Sequence, residues 1–443
     1  MADSRTAFPA TAADHALTRK LYLRLMPFLV LLFTLAYLDR VNVGFVKQQL
    51  HDDLGMSAAA YGLGAGIFFI GYALFEVPSN IILSRVGARR WLARIGITWS
   101  ILAGAIAFSP NVGTFYVLRF LLGVAEAGLF PGVIYYLSLW FPERARARAV
   151  GYFTWAGPIA SIAGGPIAGA ILSMRDTGPL HGWQWLLIIE AVPSLIVGVL
   201  ILFLLKDSPD RAPWLSDTER ARLREVHAAE AAERELLPVT SVPRTLLNPT
   251  VLLLVLVYFA MQLSIYGVTF WLPTIVAHIH SLSEFGIGVV SAIPWLVAAV
   301  GVYCYSRYSD ATGRRRAVVF TAIASGAVFE ALSALIGSPI LAVAALCLSL
   351  AGFLGASPVF WTLPAGLLRG TSAAAGIALI GGLGNVGGFV GPYVMGLVED
   401  GTGSQTAGMV VLAASGLVGA CLVWLTRRRR RAARPELAPT VPR

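Results

Sequence analysis

Twelve blocks of about 20 apolar residues divide this chain, and no other feature restricts its fold as much. They run over roughly 25–46, 57–83, 91–109, 112–138, 149–173, 183–205, 250–275, 284–308, 317–337, 340–364, 372–398 and 406–426. The hydrocarbon core of a bilayer, about 30 Å thick, is crossed by about 20 helical residues rising 1.5 Å each. No water satisfies a peptide group inside that core, so blocks of this length select α-helices. Gly and Pro recur within them (Gly62, Gly64, Gly66 and Gly71; Gly164, Gly165 and Pro166). Membrane helices tolerate both residues, whereas soluble helices do not. The expected fold class is an all-α membrane protein with twelve transmembrane helices.

Composition excludes most other classes. Of 443 residues, 57% are hydrophobic and only 13% charged, about half the roughly 25% of a soluble domain. The net charge of +10 gathers in short loops and in the tail Arg427 to Arg431, which fits a membrane surface and not a nucleic-acid groove. Cys304, Cys347 and Cys421 lie in apolar blocks without paired spacing, as small hydrophobes do. No His cluster, nucleophile–base pairing or metal-ligand spacing occurs, so neither an enzyme nor a cofactor is expected; His278 and His280 fall in an outer loop. The first 20 residues are polar and lack an apolar core, so the first span is expected to serve as the insertion signal.

Lys and Arg set the orientation. With the amino terminus inside, inner segments carry Arg19, Lys20 and Arg24; Arg85, Arg89 and Arg90; Arg144, Arg146 and Arg148; Arg307 and Arg314 to Arg316; Arg369; and the Arg tail. Outer loops hold Lys47 and Arg175 and little else. This bias places both termini in the cytoplasm, which an even number of spans requires. The arginine-rich chain is expected in a bacterial inner (cytoplasmic) membrane. The division is then a cytoplasmic segment 1–24, a six-helix bundle 25–205, a cytoplasmic linker 206–249, a second bundle 250–426 and a cytoplasmic tail 427–443. Within the linker, Ser216 and Glu219 form a capping-box pair that predicts a short amphipathic helix.

The halves repeat. Ser84-Arg85-Val86-Gly87-Ala88-Arg89-Arg90 follows span 2, and Asp310-Ala311-Thr312-Gly313-Arg314-Arg315-Arg316 follows span 8, with Gly87 and Gly313 226 residues apart. The same offset of 226 carries Gly165-Pro166 onto Gly391-Pro392 and span 1 onto span 7. Pseudo-symmetric 6+6 halves of this kind place a substrate site between them near the midplane.

The doubled loop resembles that of the major facilitator superfamily. Further strings resemble its anion:cation symporters, which include tartrate, sugar-acid, phthalate and hydroxyphenylacetate permeases. These are Tyr37-Leu38-Asp39-Arg40-Val41-Asn42-Val43-Gly44, Glu76-Val77-Pro78-Ser79-Asn80, the run from Arg119 through Glu126 to Gly128, Gly182-Trp183-Gln184-Trp185 with Glu190, and Gly384-Asn385-Val386-Gly387-Gly388. The resemblance covers about 20–426 and implies a monomeric secondary transporter with gating loops at Arg85, Gly87, Arg89 and Arg90 and at Asp310, Gly313, Arg314 and Arg315. One position departs from the pattern: Ser84 stands where the loop motif carries Asp.

An ionised side chain in the bilayer costs at least ~2.5–3.5 kcal/mol, so each needs a reason. Those inside spans are Asp39, Arg40, Glu76, Arg119, Glu126, Glu190 and Glu330. At the 226 offset, Asp39, Arg40, Arg119 and Glu126 map to Ile265, Tyr266, Ala345 and Gly352, so the repeat copies the scaffold and not the charges. Asp39 and Arg40 are adjacent and point about 100° apart, while Arg119 and Glu126, two turns apart, share a face of span 4. Arg forks match carboxylates, and carboxyls carry protons. Arg40 and Arg119 are therefore expected to bind a small organic anion, with Asp39 and Glu126 carrying protons, and the resemblance implies the same roles. Tyr37 neighbours Arg40; Tyr72 and Asn385 join the substrate site by resemblance. Glu76 is expected to make a structural or gating contact, and Glu190 and Glu330 are expected to be structural.

The functional expectation is proton-coupled uptake of a carboxylate by alternating access, with sodium left open as the coupling ion. A static ion-pair network of spans 1 and 4 is the bland alternative for the charges. An exporter or exchanger of the same fold, a membrane enzyme and a passive channel are the alternatives for function.

Overall fold

The computed structural model describes residues 12–174, 178–235, 247–367 and 371–426, and Arg175, Arg369, part of the linker and the Arg tail lie outside them. The twelve spans, labelled α1 to α12, are Ala13–Leu54, Ala58–Val86, Ala88–Ile106, Val112–Trp140, Glu143–Leu172, Gly182–Leu204, Pro249–Ala277, Glu284–Thr312, Arg315–Leu335, Pro339–Pro364, Gly376–Thr402 and Gln405–Leu425. Eleven are apolar enough throughout to cross a membrane; the exception, α3, carries Arg89, Arg90 and Arg94 in its first two turns. Most of the helices outrun the apolar blocks, because hydropathy measures the bilayer while the helix continues into water. The helix that opens α1 already begins at Ala12.

Five spans are broken. Span α1 passes through a 3₁₀ turn at Asn42–Val46, and α4 breaks after Glu126, where Gly128 takes φ +85°. Trp155 interrupts α5, Trp361 interrupts α10 and Val386 interrupts α11. Irregular backbone at such depth requires partners. Tyr61 Oη supplies one by donating to the Val43 and Phe270 carbonyls at 3.0 and 3.2 Å.

Packing follows the repeat. In the first half α2 packs on α4, α3 on α6, and α1 on α5 and α6; in the second α8 packs on α10, α9 on α12, and α7 on α11 and α12. The halves meet through α2 against α11 and α5 against α8, which the 226 offset interchanges. Small residues bring these backbones together, as in other membrane helix pairs. A Cβ at Gly165 would strike the Gly288 carbonyl, and one at Gly62 the Pro392 carbonyl.

This seam lies at the end remote from the Arg-rich loops. There Lys47 pairs with Glu399 at 2.8 Å, and Glu399 also accepts from Trp271 Nε1 at 2.6 Å. Asp400 accepts from the amides of Ala58 and Ala59, capping α2 from the other half.

The linker helix Asp217–Glu235 starts with the expected capping box: the Ser216 amide donates to Glu219 Oε2 at 2.7 Å and the Glu219 amide to Ser216 Oγ at 3.2 Å. It is docked on the first half. Glu219 pairs with Lys20 at 2.8 Å, Arg222 with Asp14 at 3.1 Å and Glu230 with Arg146 at 3.0 Å.

The seam yields a prediction. Gly62→Ala should lower the melting temperature by the equivalent of about 1–3 kcal/mol, the usual cost of overpacking. Gly337→Ala, where an added Cβ meets open space, should leave it unchanged.

Candidate functional site

Arg40 lies in the last turn of the first helical segment of α1, which ends at Val41 just before the 3₁₀ turn. Its guanidinium carbon stands 5.5 Å from the Tyr37 ring, 4.9 Å from Phe68, 5.8 Å from Phe69 and 5.4 Å from Tyr72. One ring comes from α1 and three from α2, at spacings that put Phe68 and Tyr72 on one face. Such rings stabilise a desolvated cation by about 0.5–2 kcal/mol each at best.

A full counter-charge comes from α4, where Glu126 accepts from Arg40 in an ion pair. Glu126 is the last residue before the break of α4. Other side chains take up the carbonyls freed there: Ser79 Oγ donates to Ala127 at 2.6 Å and Arg94 to Ala125 at 3.3 Å. The break thus presents the carboxylate without exposing unpaired backbone. Arg40 is not saturated, for its Nε has no hydrogen-bond partner.

Asp39 points elsewhere, as adjacent helical residues must. Its Oδ2 accepts from Trp99 Nε1 of α3 at 2.6 Å, and both side chains are buried. Arg119, expected in the same substrate site, is instead fully buried between α4 and α2. It donates from Nε to the Gly64 carbonyl at 3.1 Å and from its second terminal nitrogen to Ala65 at 3.0 Å. Period-3.6 reasoning gives the face of a residue but not the neighbour it meets. Phe68 lies near both cations, 5.4 Å from Arg119.

The second half brings uncharged groups to this place. Tyr266 meets Phe69 edge-on at 4.5 Å, and Phe69 also lies where a Cβ on Gly388 would stand, 2.9 Å away. Three residues before Gly388, Asn385 Oδ1 accepts from Gln262 Nε2 at 3.0 Å. Contacts therefore run from Arg40 through Phe69 to α7 and α11. Trp99, Phe68 and Phe69 escaped the sequence reading, where only the Phe-Phe pair four and three residues before Tyr72 offered a signal.

Of the gating-loop residues, Gly87, Arg89 and Gly313 cap helix ends within their own halves. Arg89 takes the Asp207 carboxylate on its amide at 2.9 Å and donates to the Leu202 carbonyl at 3.2 Å. A Cβ on Gly87, where φ is +99°, would come within 2.8 Å of that carboxylate. Ser84 Oγ donates to the Ile81 carbonyl of its own helix. In the second loop Gly313 closes α8 at φ +64°, and Arg316 donates to the Val423 and Trp424 carbonyls at the end of α12. Both loops thus place a cation on the carbonyl end of the sixth helix of their half. Arg85, Arg90, Asp310, Arg314 and Arg315 are exposed. Among the described residues, no His, Cys, Asp or Glu group is placed to hold a metal.

The Arg119 geometry predicts a structural phenotype. Arg119→Lys cannot bridge two carbonyls and should lose about 1.5–3 kcal/mol, the value of a charged hydrogen bond. Arg40→Lys keeps a cation beside Glu126, so its thermal unfolding should shift less.

The family description that matches the chain, "Major Facilitator Superfamily", aligns with residues 29–392 and 254–442. A protein of Agrobacterium vitis named "Putative tartrate transporter" is 44% identical over 93% of this chain and 91% of its own. A "Quinolone resistance transporter" of Acinetobacter baumannii is 41% identical over 92% of this chain and 94% of its own. Among solved structures, a bacterial homolog of the human lysosomal transporter Spinster, inward-facing and occupied, shares the fold with a TM-score of 0.75 at 16% identity, covering 92% of this chain and 96% of that one.

Proposed function

The chain belongs to the major facilitator superfamily, and from that membership we propose that it takes up a small organic anion together with protons, by alternating access of its two halves. The single observation that carries this reading is the Arg40–Glu126 ion pair, caged by aromatic rings, with Arg40 Nε unpartnered.

The coupling is competitive. A substrate carboxylate and the Glu126 carboxylate both want the Arg40 fork. When substrate takes it, Glu126 loses its cation in a low-dielectric place and accepts a proton. When substrate leaves, the ion pair re-forms and the proton departs, so anion and proton travel together. Asp39, held by Trp99, is a second proton carrier. Tyr37 and Tyr72 line the anion, and Asn385 with Gln262 supplies amide contacts from the second half. Arg119 serves by fixing α2 to α4. The loops after α2 and α8 act as gates when their exposed arginines and Asp310 meet the opposite half.

Charge bias supports an inner-membrane protein with both termini cytoplasmic. The seam would then seal the periplasmic end, so this conformation faces the cytoplasm. The relative named for tartrate supports a dicarboxylate hydroxy-acid as substrate; sugar acids and aromatic acids fit the same fork. The relative named for quinolone resistance supports a second reading, export or exchange through the same fold.

The test is uptake of labelled tartrate, a sugar acid and an aromatic acid into proteoliposomes under an inward proton gradient, a sodium gradient or neither. One acid should accumulate only under the proton gradient, and Asp39→Asn should abolish that accumulation. Accumulation only under an outward gradient would favour export.

A further inference from the structure

Behind α1, on the side away from Arg40, lies a second acid that the coupling scheme leaves unused. Glu190 of α6 is 5% exposed, and neither of its carboxyl oxygens has a hydrogen-bond partner. It stands beside Asn42 and within electrostatic reach of Asp39. Asn42 is itself fully buried, with both amide atoms unpartnered. One turn along α6, Ser194 donates to the Glu190 carbonyl at 3.1 Å and also neighbours Asp39. Asp39, Glu190, Asn42, Ser194 and Trp99 thus form one buried polar cluster between α1, α3 and α6, and Asp39 and Glu190 are its only acids.

A carboxylate sealed from water costs several kcal/mol unless it is fully hydrogen-bonded, and a second one within electrostatic reach adds to that cost. A pair of carboxyls that holds one proton carries a charge of −1, which removes the repulsion between two anions and leaves a single charge for the donors of the cluster to stabilise. The groups facing it are few: Arg119 and Glu126 of α4 act on Asp39 across α1, and α3 contributes only the Trp99 donor.

The second half supplies a natural comparison. Glu330 of α9 is also fully buried with both oxygens unpartnered, and it faces Ser264 of α7. At the 226 offset Glu330 falls on Gly104 and Glu190 on Gly416. Apart from Asp39 of α1 and Glu126 of α4, each half therefore buries one acid against its first helix, Glu190 from the sixth helix and Glu330 from the third. Ile265 and Val268 stand where the first half has Asp39 and Asn42, so Glu330 has no acid partner on α7.

We infer that Glu190 and Asp39 form a two-carboxyl proton site, in which Glu190 is a proton-coupling residue and Asn42 and Trp99 position the pair. This rests on the proton-coupled reading above. One proton moves between the two carboxyls as α1 shifts, and it leaves to water only when the cluster opens.

The test is pH-induced infrared difference spectroscopy of the full chain in lipid nanodiscs, in the stretching region of protonated carboxyls. Glu190→Gln should remove a titrating band, Asp39→Asn should displace the same band along the pH axis, Glu190→Asp should retain a titrating band, and Glu330→Gln should leave it in place. A Glu190 band that is independent of pH, or one that Asp39→Asn does not move, would overturn the pair and leave Glu190 a lone structural acid. In proteoliposomes with tartrate, Glu190→Gln should keep exchange at equal concentrations and lose accumulation, with Glu190→Asp rescuing it. Wild-type failure to accumulate any acid would sink the transport reading alone, since the spectra decide the pair without substrate.

Discussion

A guanidinium held among apolar membrane helices has to be neutralised, and much of this structure is arranged around that demand. Arg40 meets it with the Glu126 carboxylate and four aromatic rings. Placing Glu126 there requires a break in α4, and the break requires Ser79 and Arg94 to satisfy the freed carbonyls. Trp91 in turn donates to Ser79 at 2.9 Å. Removing any one of these leaves a buried polar group unpaired, which in a low dielectric costs more than the bond itself contributes.

Pseudo-symmetry supplies the frame, and asymmetry supplies the chemistry. The α2–α11 and α5–α8 contacts are mates under one offset, and the helix caps agree as well: Ser57 caps α2 and Ser283, 226 residues on, caps α8. Yet Tyr266 stands where the first half has Arg40 and meets it through Phe69. One half carries the charge, while the other offers a phenol and two amides. Such a division lets a rigid rocking of the halves change the surroundings of Arg40 without moving a charge between them.

The spans were legible because twenty apolar residues have few alternatives, and the repeat was legible because Gly87 and Gly313 share a role at helix ends. The faces of Asp39 and Arg40 were legible too, since adjacent residues on a helix diverge by about 100°. Partners were not. Nothing in the spacing distinguishes Arg119, which donates to the Gly64 and Ala65 carbonyls, from Arg40, which pairs with the Glu126 carboxylate. That difference depends on glycines of α2 letting the backbones approach, a fact of packing across 55 residues of chain. Lys47, assigned to an outer loop by its sequence, turned out to join the halves at the seam.

The central claim is that substrate and Glu126 compete for Arg40. It is tested most directly by calorimetric binding of tartrate, or of whichever acid accumulates, to wild type and Glu126→Gln across a range of pH. Competition predicts that wild-type affinity falls as pH rises, by up to about tenfold per unit for one linked proton. Glu126→Gln should then bind more tightly at high pH and lose the dependence. A variant that binds no acid, or keeps the wild-type slope, would contradict the account.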